Sequence, residues 1–502
     1  MKKVILLLVD SLMPNILEDC LRQRTVPALR FLVERGRYWS NCVTSFPTMT
    51  ASVDSSLLTG TYPDVHRVPG LVWYDPEEKE IINYGNGWKC VRKLGMTNCA
   101  KNVLYNLNEK HLSKQVSTIF EELAMRGKTS ASINTMVHRG VKKHRIQLPF
   151  LLDLTTRFRF REEVSGPDVM TLGAMVQTDI QNIPKKLQGF KRLYGITDAY
   201  AVSATKSLIQ FGNAPDFLLV YLPDNDHRIH KKSPDHAEES LIQVDKCIQQ
   251  ILNTFHSWDE ALDQFIFIVI SDHGQTKIGK EEEFNIDLDV LLERFHALQL
   301  GEDVKDHDIV VCNNERMAYI YPLKPNVEEK ILQRLLSETR IDIVATKENG
   351  GVRVKEGGSG REIYFKPNGQ YIDIYGSSWE INGEWTVLDL RLHGGIVDYG
   401  DYPDALSRLY GAMYSQEIPM IVVTARPRYE FKSQFYPVHL DGGSHGSLHK
   451  YDSTIPLIVT GTEHPVNEPP RLIDLKNFVI KLFEEGTLSN DSPVLKEYAA
   501  YQ

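Results

Sequence analysis

The sequence predicts an α/β protein in which a mostly parallel central sheet is flanked by helices and carries an inserted, β-rich α+β cap. Three short apolar runs, residues 4–9, 217–222 and 265–271, indicate buried strands, and each is followed closely by an aspartate. Segments of helical periodicity separate strand-like runs along the first half of the chain, which is the pattern of βαβ units. A chain of 502 residues is too long for one undivided core, so we expect two domains.

The helices of the first half are predicted from their apolar spacing. They cover residues 26–36, 116–127 and 236–252. In the last segment, apolar residues recur at helical spacing and form one stripe, which we expect to pack against the sheet: Leu241, Val244, Ile248 and Ile251.

The composition of the chain changes after residue 274, where short strand candidates and glycine-rich turns replace the βα alternation. The strand candidates are residues 309–312, 317–321, 341–345, 352–354, 363–365 and 371–375. Together with a helix over residues 327–336, they predict an inserted cap over residues 285–400.

The α/β pattern returns from residue 405, so the core is predicted to be discontinuous, over residues 1–284 and 401–502. The returning elements are a helix to residue 414, strands at 420–424 and 456–460, and a closing helix over 472–486.

Composition and charge exclude several classes of protein. A net charge of -9 with interspersed Lys and Arg argues against a partner that is a nucleic acid polymer. Because no apolar stretch reaches the roughly 20 residues of a transmembrane helix, we expect no membrane span. The six cysteines lack CxxC spacing, which predicts reduced thiols, and we expect a cytoplasmic protein whose apolar residues 4–9 form a first strand rather than a signal peptide.

Carboxylates and histidines follow the predicted strands and are candidate metal ligands. They are Asp10, Asp226 with His230, the adjacent pair Asp272 and His273, and His445 in a glycine-rich loop. The ends of parallel strands meet at one edge of a sheet, where such side chains bind divalent metals, zinc above all.

Each of these motifs has a structural alternative when it is taken alone. Asp10 is placed to cap the next helix, Asp226 and His230 to form a surface ion pair, and Asp272-His273-Gly274 to form a turn. His445 suits a mobile loop equally well. Asp224 and His227 crowd the same stretch as Asp226, and we prefer the pair with four-residue spacing.

Thr50 is the candidate nucleophile. It lies at the start of a likely helix in the Ser/Thr-rich segment 45–60, and a helix N-terminus offers unpaired N–H groups and the positive end of the helix dipole. The alternative is that Thr48 or Thr50 only caps this helix.

In combination, these motifs resemble the alkaline phosphatase superfamily. The closest resemblance is to its type I phosphodiesterase/nucleotide pyrophosphatase branch, which includes phosphonoacetate hydrolases. That branch places its nucleophilic threonine ten residues before the glycine of a Ser-x-x-Thr-Gly motif, the position of Thr50 before Gly60 here. The resemblance implies an alkaline-phosphatase-like core with two divalent metal ions, zinc first and Mn²⁺ or Fe as alternatives.

The resemblance also implies a division of the ligands between the two ions. One ion would be held by Asp10, Thr50, Asp272 and His273, and the other by Asp226, His230 and His445. It implies hydrolysis of a small phosphorylated substrate (a phosphodiester, nucleotide or phosphonate) through a phosphothreonine intermediate.

The chain departs from the family pattern at two positions near Thr50. Leu71 stands where nucleotide pyrophosphatases carry an Asn that binds a phosphoryl oxygen, so another donor is needed, for which the backbone N–H of Ala51 is a candidate. Arg67 replaces the usual Gly.

The charge around Thr50 bears on the substrate. Residues 48–66 contain no Arg or Lys, whereas monoesterases of the superfamily add an Arg beside the nucleophile. We therefore predict a phosphodiesterase; the alternatives are a phosphonate or phosphomonoester hydrolase and a non-catalytic, metal-dependent phosphate- or nucleotide-binding protein.

Overall fold

The computed structural model describes residues 2–146, 163–177, 180, 183–189 and 195–484. Its central sheet has eight strands, in the spatial order Gly36–Val43, Thr454–Thr460, Phe265–Ile270, Lys3–Val9, Phe217–Leu222, Ser130–Ile133, Val169–Leu172 and Val176–Gln177. Neighbouring strands from Phe265–Ile270 to Val169–Leu172 run parallel, and the outer strands are antiparallel. The predicted mostly parallel sheet and its three aspartate-terminated strands are confirmed.

Both faces of the central sheet are buried, which explains why its strands are continuous apolar runs rather than alternating ones. In the first strand, Val4, Leu6 and Leu8 pack with helices on one face. The residues between them, Ile5 and Leu7 among others, pack with helices on the opposite face. A short stretch of valine, isoleucine and leucine therefore supplies both halves of the core.

Helices lie along both faces of the central sheet. Those on the face of Val4 include Thr50–Thr59, Ile119–Met125 and Leu475–Glu484. Those on the other face are Pro14–Gln23, Pro27–Glu34, Asp198–Gln210, Ala237–Leu252 and Trp258–Gln264. The helices predicted over 26–36, 116–127 and 236–252 are thus confirmed with shorter ends, and the end of the closing helix, residues 485–486, lies outside the described residues.

The remaining elements are short. Among the described residues, the other α-helices are Pro63–His66, Trp88–Leu94, Met96–Lys101, Asp224–Lys232, Leu288–Leu291, Glu328–Leu336, Ala405–Met413 and Lys450–Ser453, and Asn102–His111 is a π-helix. Four two-stranded ribbons pair Val72–Asp75 with Glu80–Asn83, Lys142–Arg145 with Glu163–Gly166, Thr276–Lys277 with Gly443–Ser444, and Asn285–Asp287 with Glu430–Lys432. Among the described residues, no helix combines the length and the apolar character that crossing a lipid bilayer requires.

A second sheet of nine strands contains the strands predicted for the cap. Eight follow the spatial order Ile309–Asn314, Met317–Pro322, Ile421–Ala425, Ile341–Glu348, Gly351–Glu356, Glu362–Asp373, Ile396–Tyr399 and Leu390–His393, and Ser378–Gly383 pairs with Glu362–Asp373. The strands predicted at 363–365 and 371–375 are joined in the one long strand Glu362–Asp373, and residues 374–375 lie in the turn that follows it.

The strand predicted at residues 420–424 exists and lies in the second sheet, not in the central one. It spans Ile421–Ala425 and pairs with Met317–Pro322 and Ile341–Glu348, in the interior of the second sheet. All five of its residues are buried, so its apolar run fits either sheet, and only pairing decides between them. The domain boundaries at residues 285 and 401 stay a prediction.

Candidate metal centre and nucleophile

The first cluster of ligand-type side chains lies where two adjacent parallel strands end. Asp10 follows Lys3–Val9, and Asp272 with His273 follows Phe265–Ile270, with Leu8 in register with Ile270. His273 Nε2 lies 3.3 Å from Asp272 Oδ2 and 3.7 Å from Asp10 Oδ1. One ligand atom from each of the three residues lies within 4.8 Å of the other two.

Two atoms of this cluster are buried without a hydrogen-bond partner among the described residues. They are Asp10 Oδ1 and His273 Nε2, which face each other. The other ring nitrogen, His273 Nδ1, lies 3.2 Å from the carbonyl oxygen of Gly274, which can only accept, so Nδ1 carries the proton. Because an unpaired buried lone pair is costly, the arrangement fits a bound cation between carboxylate and imidazole.

The second cluster begins on the helix Asp224–Lys232, directly after the strand Phe217–Leu222. Four-residue spacing places Asp226 and His230 on one face of this helix, and His230 Nε2 lies 3.2 Å from Asp226 Oδ1. The neighbours that the sequence left open face elsewhere. Asp224 lies 3.3 Å from Arg228, and His227 is exposed.

His445 completes the second cluster from the glycine-rich loop. Its Nε2 lies 3.9 Å from Asp226 Oδ1, and its Nδ1 lies 2.6 Å from the carbonyl oxygen of Thr48. His230 repeats this pattern, with Nδ1 2.8 Å from the carbonyl oxygen of Gly443. In both residues Nδ1 therefore donates to a carbonyl oxygen, and Nε2 is the nitrogen that faces Asp226 and would bind a metal.

The two clusters form one site, because His273 belongs to both. Asp226, His273 and His445 also have ligand atoms within 4.8 Å of one another. The rings of His273 and His445 are stacked, with centroids 3.7 Å apart and an interplanar angle of 17°. The structure thus brings together all six Asp and His side chains that the sequence analysis selected.

The electrostatics of the site show what a cation would compensate. Burial, followed by the charges of Asp226 and Asp272, raises the pKa of Asp10 well above its usual value. Burial opposes the charged form of His230, but Asp226 and then Glu315 outweigh it and raise the His230 pKa to about 10. Without a metal, the negative charges of Asp10, Asp226 and Asp272 therefore repel one another. Divalent cations bound between these carboxylates would relieve that repulsion.

Thr50 is the first residue of the helix Thr50–Thr59, and its hydroxyl oxygen lies 3.4 Å from Asp272 Oδ2. Neither its backbone N–H nor that of Ala51 has an acceptor among the described residues. Thr48, the alternative, is committed elsewhere, because its buried hydroxyl accepts the N–H of Gly446 at 2.7 Å. Of the two threonines, only Thr50 faces the carboxylates.

The two departures from the family pattern have a structural explanation. Arg67 has φ of 67°, a conformation that favours glycine, and its guanidinium donates to the carbonyl oxygen of Tyr414 at 2.8 Å. The Leu71 N–H donates to the side chain of Asn314, and the partly buried Leu71 side chain packs against two hydrophobic clusters. Leu71 therefore offers no side-chain donor to a ligand.

Sequence reasoning missed several side chains that support the site. Tyr221 donates to Asp10, while Ser11 and Gln275 donate to Asp226 at 2.8 and 2.5 Å. Gln275 directly follows Asp272-His273-Gly274, which was a usable signal. Glu315 and His439 lie beside His230. The sequence around Glu315 contains no signal of this position, and the only signal for His439 is that it precedes His445 by six residues.

Comparison with known proteins places this site in a family. The sequence matches the model of the type I phosphodiesterase/nucleotide pyrophosphatase family over residues 4–448. A search of curated proteins found no match.

Solved structures with the same fold include murine ectonucleotide pyrophosphatase/phosphodiesterase 5, at 13% identity over 96% of this chain and 95% of that one, with a TM-score of 0.55. An inactive form of the murine protein in complex with AMP is 12% identical over the same shares, with a TM-score of 0.56. Phosphonoacetate hydrolase from Sinorhizobium meliloti in complex with phosphonoformate is 16% identical over 96% of each chain, with a TM-score of 0.55.

These structural likenesses confirm the predicted alkaline-phosphatase-like fold. The family match extends from the first strand to the loop that carries His445, so it includes every residue of the candidate site. The chain belongs to the type I phosphodiesterase/nucleotide pyrophosphatase family of phosphoester hydrolases.

Proposed function

We propose that the protein is a two-metal phosphodiesterase that attacks small phosphorylated substrates with the hydroxyl of Thr50. The observation that carries this proposal is the position of that hydroxyl, 3.4 Å from Asp272 Oδ2 at a helix N-terminus whose first N–H groups are unpaired. A nucleophile, a candidate metal ligand and a site for an anion thus coincide.

The donors fit two divalent cations, with zinc as the first candidate because imidazole and carboxylate donors without thiolate are typical of catalytic zinc sites. The first ion would be held by Asp10, Thr50, Asp272 and His273, and the second by Asp226, His230 and His445. Bound there, the ions would supply Lewis-acid chemistry: they would lower the pKa of the Thr50 hydroxyl and stabilise charge on the leaving oxygen.

The residues of the chain set the course of the reaction. Thr50 Oγ1 forms a bond to phosphorus while the bond from phosphorus to the leaving oxygen breaks. The Thr50 hydroxyl releases its proton to solvent and the leaving oxygen takes one up, which leaves a phosphothreonine and a free alcohol. The unpaired N–H of Ala51 is a candidate donor for a phosphoryl oxygen, in place of the Asn that is absent at Leu71. Water then cleaves the bond between phosphorus and Thr50 Oγ1, which restores the hydroxyl.

Charge favours a substrate with a single negative charge. Among the described residues, no Arg or Lys forms an ion pair with Asp10, Asp226 or Asp272. Two divalent cations would balance three carboxylates and a threonine alkoxide, so the loaded site would be close to neutral. A phosphodiester or nucleotide suits such a site better than a dianionic monoester, and a phosphonate is the second candidate because Leu71 gives no nucleotide-type phosphate donor.

The test compares hydrolysis of bis-p-nitrophenyl phosphate with that of p-nitrophenyl phosphate by the purified protein supplied with Zn²⁺. We expect faster turnover of the diester, and we expect Thr50→Ala to reduce it by roughly 1,000-fold or more, as removal of a nucleophile does elsewhere. Folding of this variant should change by about 1 kcal/mol or less.

The matched control is Ser52→Ala, which removes a buried hydroxyl on the same helix that has no partner among the described residues. It should leave turnover unchanged. Preference for the monoester would refute our interpretation that the lack of Arg and Lys at the site favours a diester. Binding of phosphate without turnover of diester, pyrophosphate or phosphonate would identify a non-catalytic binding protein.

A further inference from the structure

Two residues outside the expected ligand set lie against the second cluster. Glu315 occupies the turn between Ile309–Asn314 and Met317–Pro322 in the second sheet, and His439 lies in the loop that leads to His445. One ligand atom each of His230, Glu315 and His439 lies within 4.8 Å of the other two. The ring centroids of His230 and His439 are 4.3 Å apart.

His439 is oriented in the way that metal-binding histidines usually are. Its Nδ1 lies 3.0 Å from Oε2 of Glu430, and its backbone N–H donates to the other oxygen of the same carboxylate. Glu430 is completely buried. A carboxylate that accepts the Nδ1 proton leaves Nε2 as the nitrogen that can bind a metal, and it makes that nitrogen more basic.

Glu315 is a buried carboxylate without a permanent cation beside it. Its Oε2 accepts from the Ser444 hydroxyl at 3.1 Å and from the His445 N–H at 3.3 Å, and lies 3.6 Å from His445 Nε2. Among the described residues, no Arg or Lys forms an ion pair with it. Only imidazoles face this buried carboxylate, and a divalent cation bound among them would supply a compensating charge that does not depend on their protonation.

The geometry indicates one shared ion rather than an additional one. His230 has a single free nitrogen, because its Nδ1 is occupied by the carbonyl oxygen of Gly443. Nε2 of His230 therefore cannot serve the Asp226 side and the Glu315 side with separate ions.

We propose that Glu315 and His439 are additional ligands of the second metal ion, which they hold together with Asp226, His230 and His445. This inference rests on the proposed function, whose second ion it completes. The second sheet thereby becomes part of the metal centre, since it contributes Glu315.

The enlarged ligand set has two chemical consequences. Five protein donors exceed the tetrahedral set that zinc favours, so the second position would suit Mn²⁺ or Fe²⁺ at higher coordination. Glu315 also adds a negative charge, which makes a dianionic monoester a still poorer substrate than a diester.

The test measures metal binding in the absence of substrate. Glu315→Gln keeps an oxygen that can accept from Ser444 and His445, so the loop contacts persist while the charge is lost. We expect the wild-type protein to retain two ions after dialysis and Glu315→Gln to bind the weaker ion at least about 10-fold less tightly in chelator competition. His439→Asn should have the same effect through a residue on a different segment, so the test survives if one variant fails to fold.

The control is His307→Asn, which removes a buried histidine of the second half of the chain whose Nε2 lies 3.6 Å from Glu302. It should leave both ions bound with wild-type affinity. Wild-type affinity in folded Glu315→Gln and His439→Asn proteins would overturn the proposal even if the enzyme is active. If the wild-type protein hydrolyses none of the substrates, the proposed function fails. Weakened metal binding in the two variants would still uphold the proposal that Glu315 and His439 are ligands.

Discussion

The two halves of the metal centre are built in different ways. The half around Asp10, Asp272 and His273 comes from the ends of two adjacent parallel strands, and the side chains of Asp272 and His273 are 0% exposed. The half around Asp226 and His230 lies on a helix, its side chains are 20% and 13% exposed, and it borders the second sheet at Glu315. The first half is therefore set by sheet topology, and the second by a helix that lies beside the second sheet.

The largest effect is expected in the buried half. Asp272→Asn should reduce diester turnover by roughly 1,000-fold or more, because it removes a ligand charge that faces Thr50. The metal-free variant should melt no lower than the metal-free wild type, since Asn Oδ1 can still accept from Ser11 and His273 and the repulsion with Asp10 disappears.

Elemental analysis and thermal melting with and without chelator check the Asp272→Asn prediction. Asp224 lies on the same helix as Asp226, but its side chain pairs with Arg228. Asp224→Asn is therefore the control for loss of a carboxylate charge, and it should retain both ions. Two tightly bound ions in Asp272→Asn would show that Asp272 is not a ligand on which either ion depends.

Removal of metal should also separate the halves. A chelator titration should extract one ion before the other, because the His230 half is more exposed than the His273 half. His445→Ala should lower the affinity of the ion that leaves first by at least about 10-fold and should leave the second extraction step in place. Simultaneous loss of both ions would mean that the two halves do not bind independently.

A smaller effect is expected for Tyr221, whose hydroxyl donates to Asp10 without facing Thr50. Tyr221→Phe should lower the affinity for the first ion or the turnover by about 10-fold, the lower end of the range for groups that orient metal ligands. Competition with a chromophoric chelator measures the affinity. An unchanged affinity together with unchanged turnover would remove Tyr221 from the account.

The smallest effect is expected at position 71. Leu71→Asn restores the amide of nucleotide pyrophosphatases, and one added hydrogen bond of about 1 kcal/mol corresponds to roughly a 5-fold gain in kcat/KM for a nucleotide diester. A similar gain is expected for bis-p-nitrophenyl phosphate, because the amide would contact a phosphoryl oxygen that both substrates have. No gain with either substrate would show that position 71 lies outside the phosphoryl pocket.

The contrast between the halves also explains what the sequence could predict. Asp10 and Asp272 follow apolar runs that the sequence predicts as buried parallel strands, so their meeting at one sheet edge follows from the predicted topology. The Asp226 and His230 pair was suggested by helical spacing alone. These residues needed no knowledge of distant packing.

Other features depend on contacts that no local pattern encodes. Glu315 occupies a turn with φ of 64°, and its approach to His445 requires that the second sheet dock on the core. The strand Ile421–Ala425 is equally apolar in either sheet, so only its partners at Met317–Pro322 and Ile341–Glu348 assign it to the second. Tertiary packing decides such cases.

The central claim is that Thr50 and the Asp and His side chains surround two cations. The most direct test is a crystal structure of the protein grown with Zn²⁺ and orthovanadate, with anomalous scattering recorded at the zinc edge. We predict two peaks roughly 4 Å apart, one beside Asp10 and His273 and the other beside His230, with vanadium bonded to Thr50 Oγ1. Absence of a peak between Asp10 and His273, or vanadate bound away from Thr50, would contradict the account.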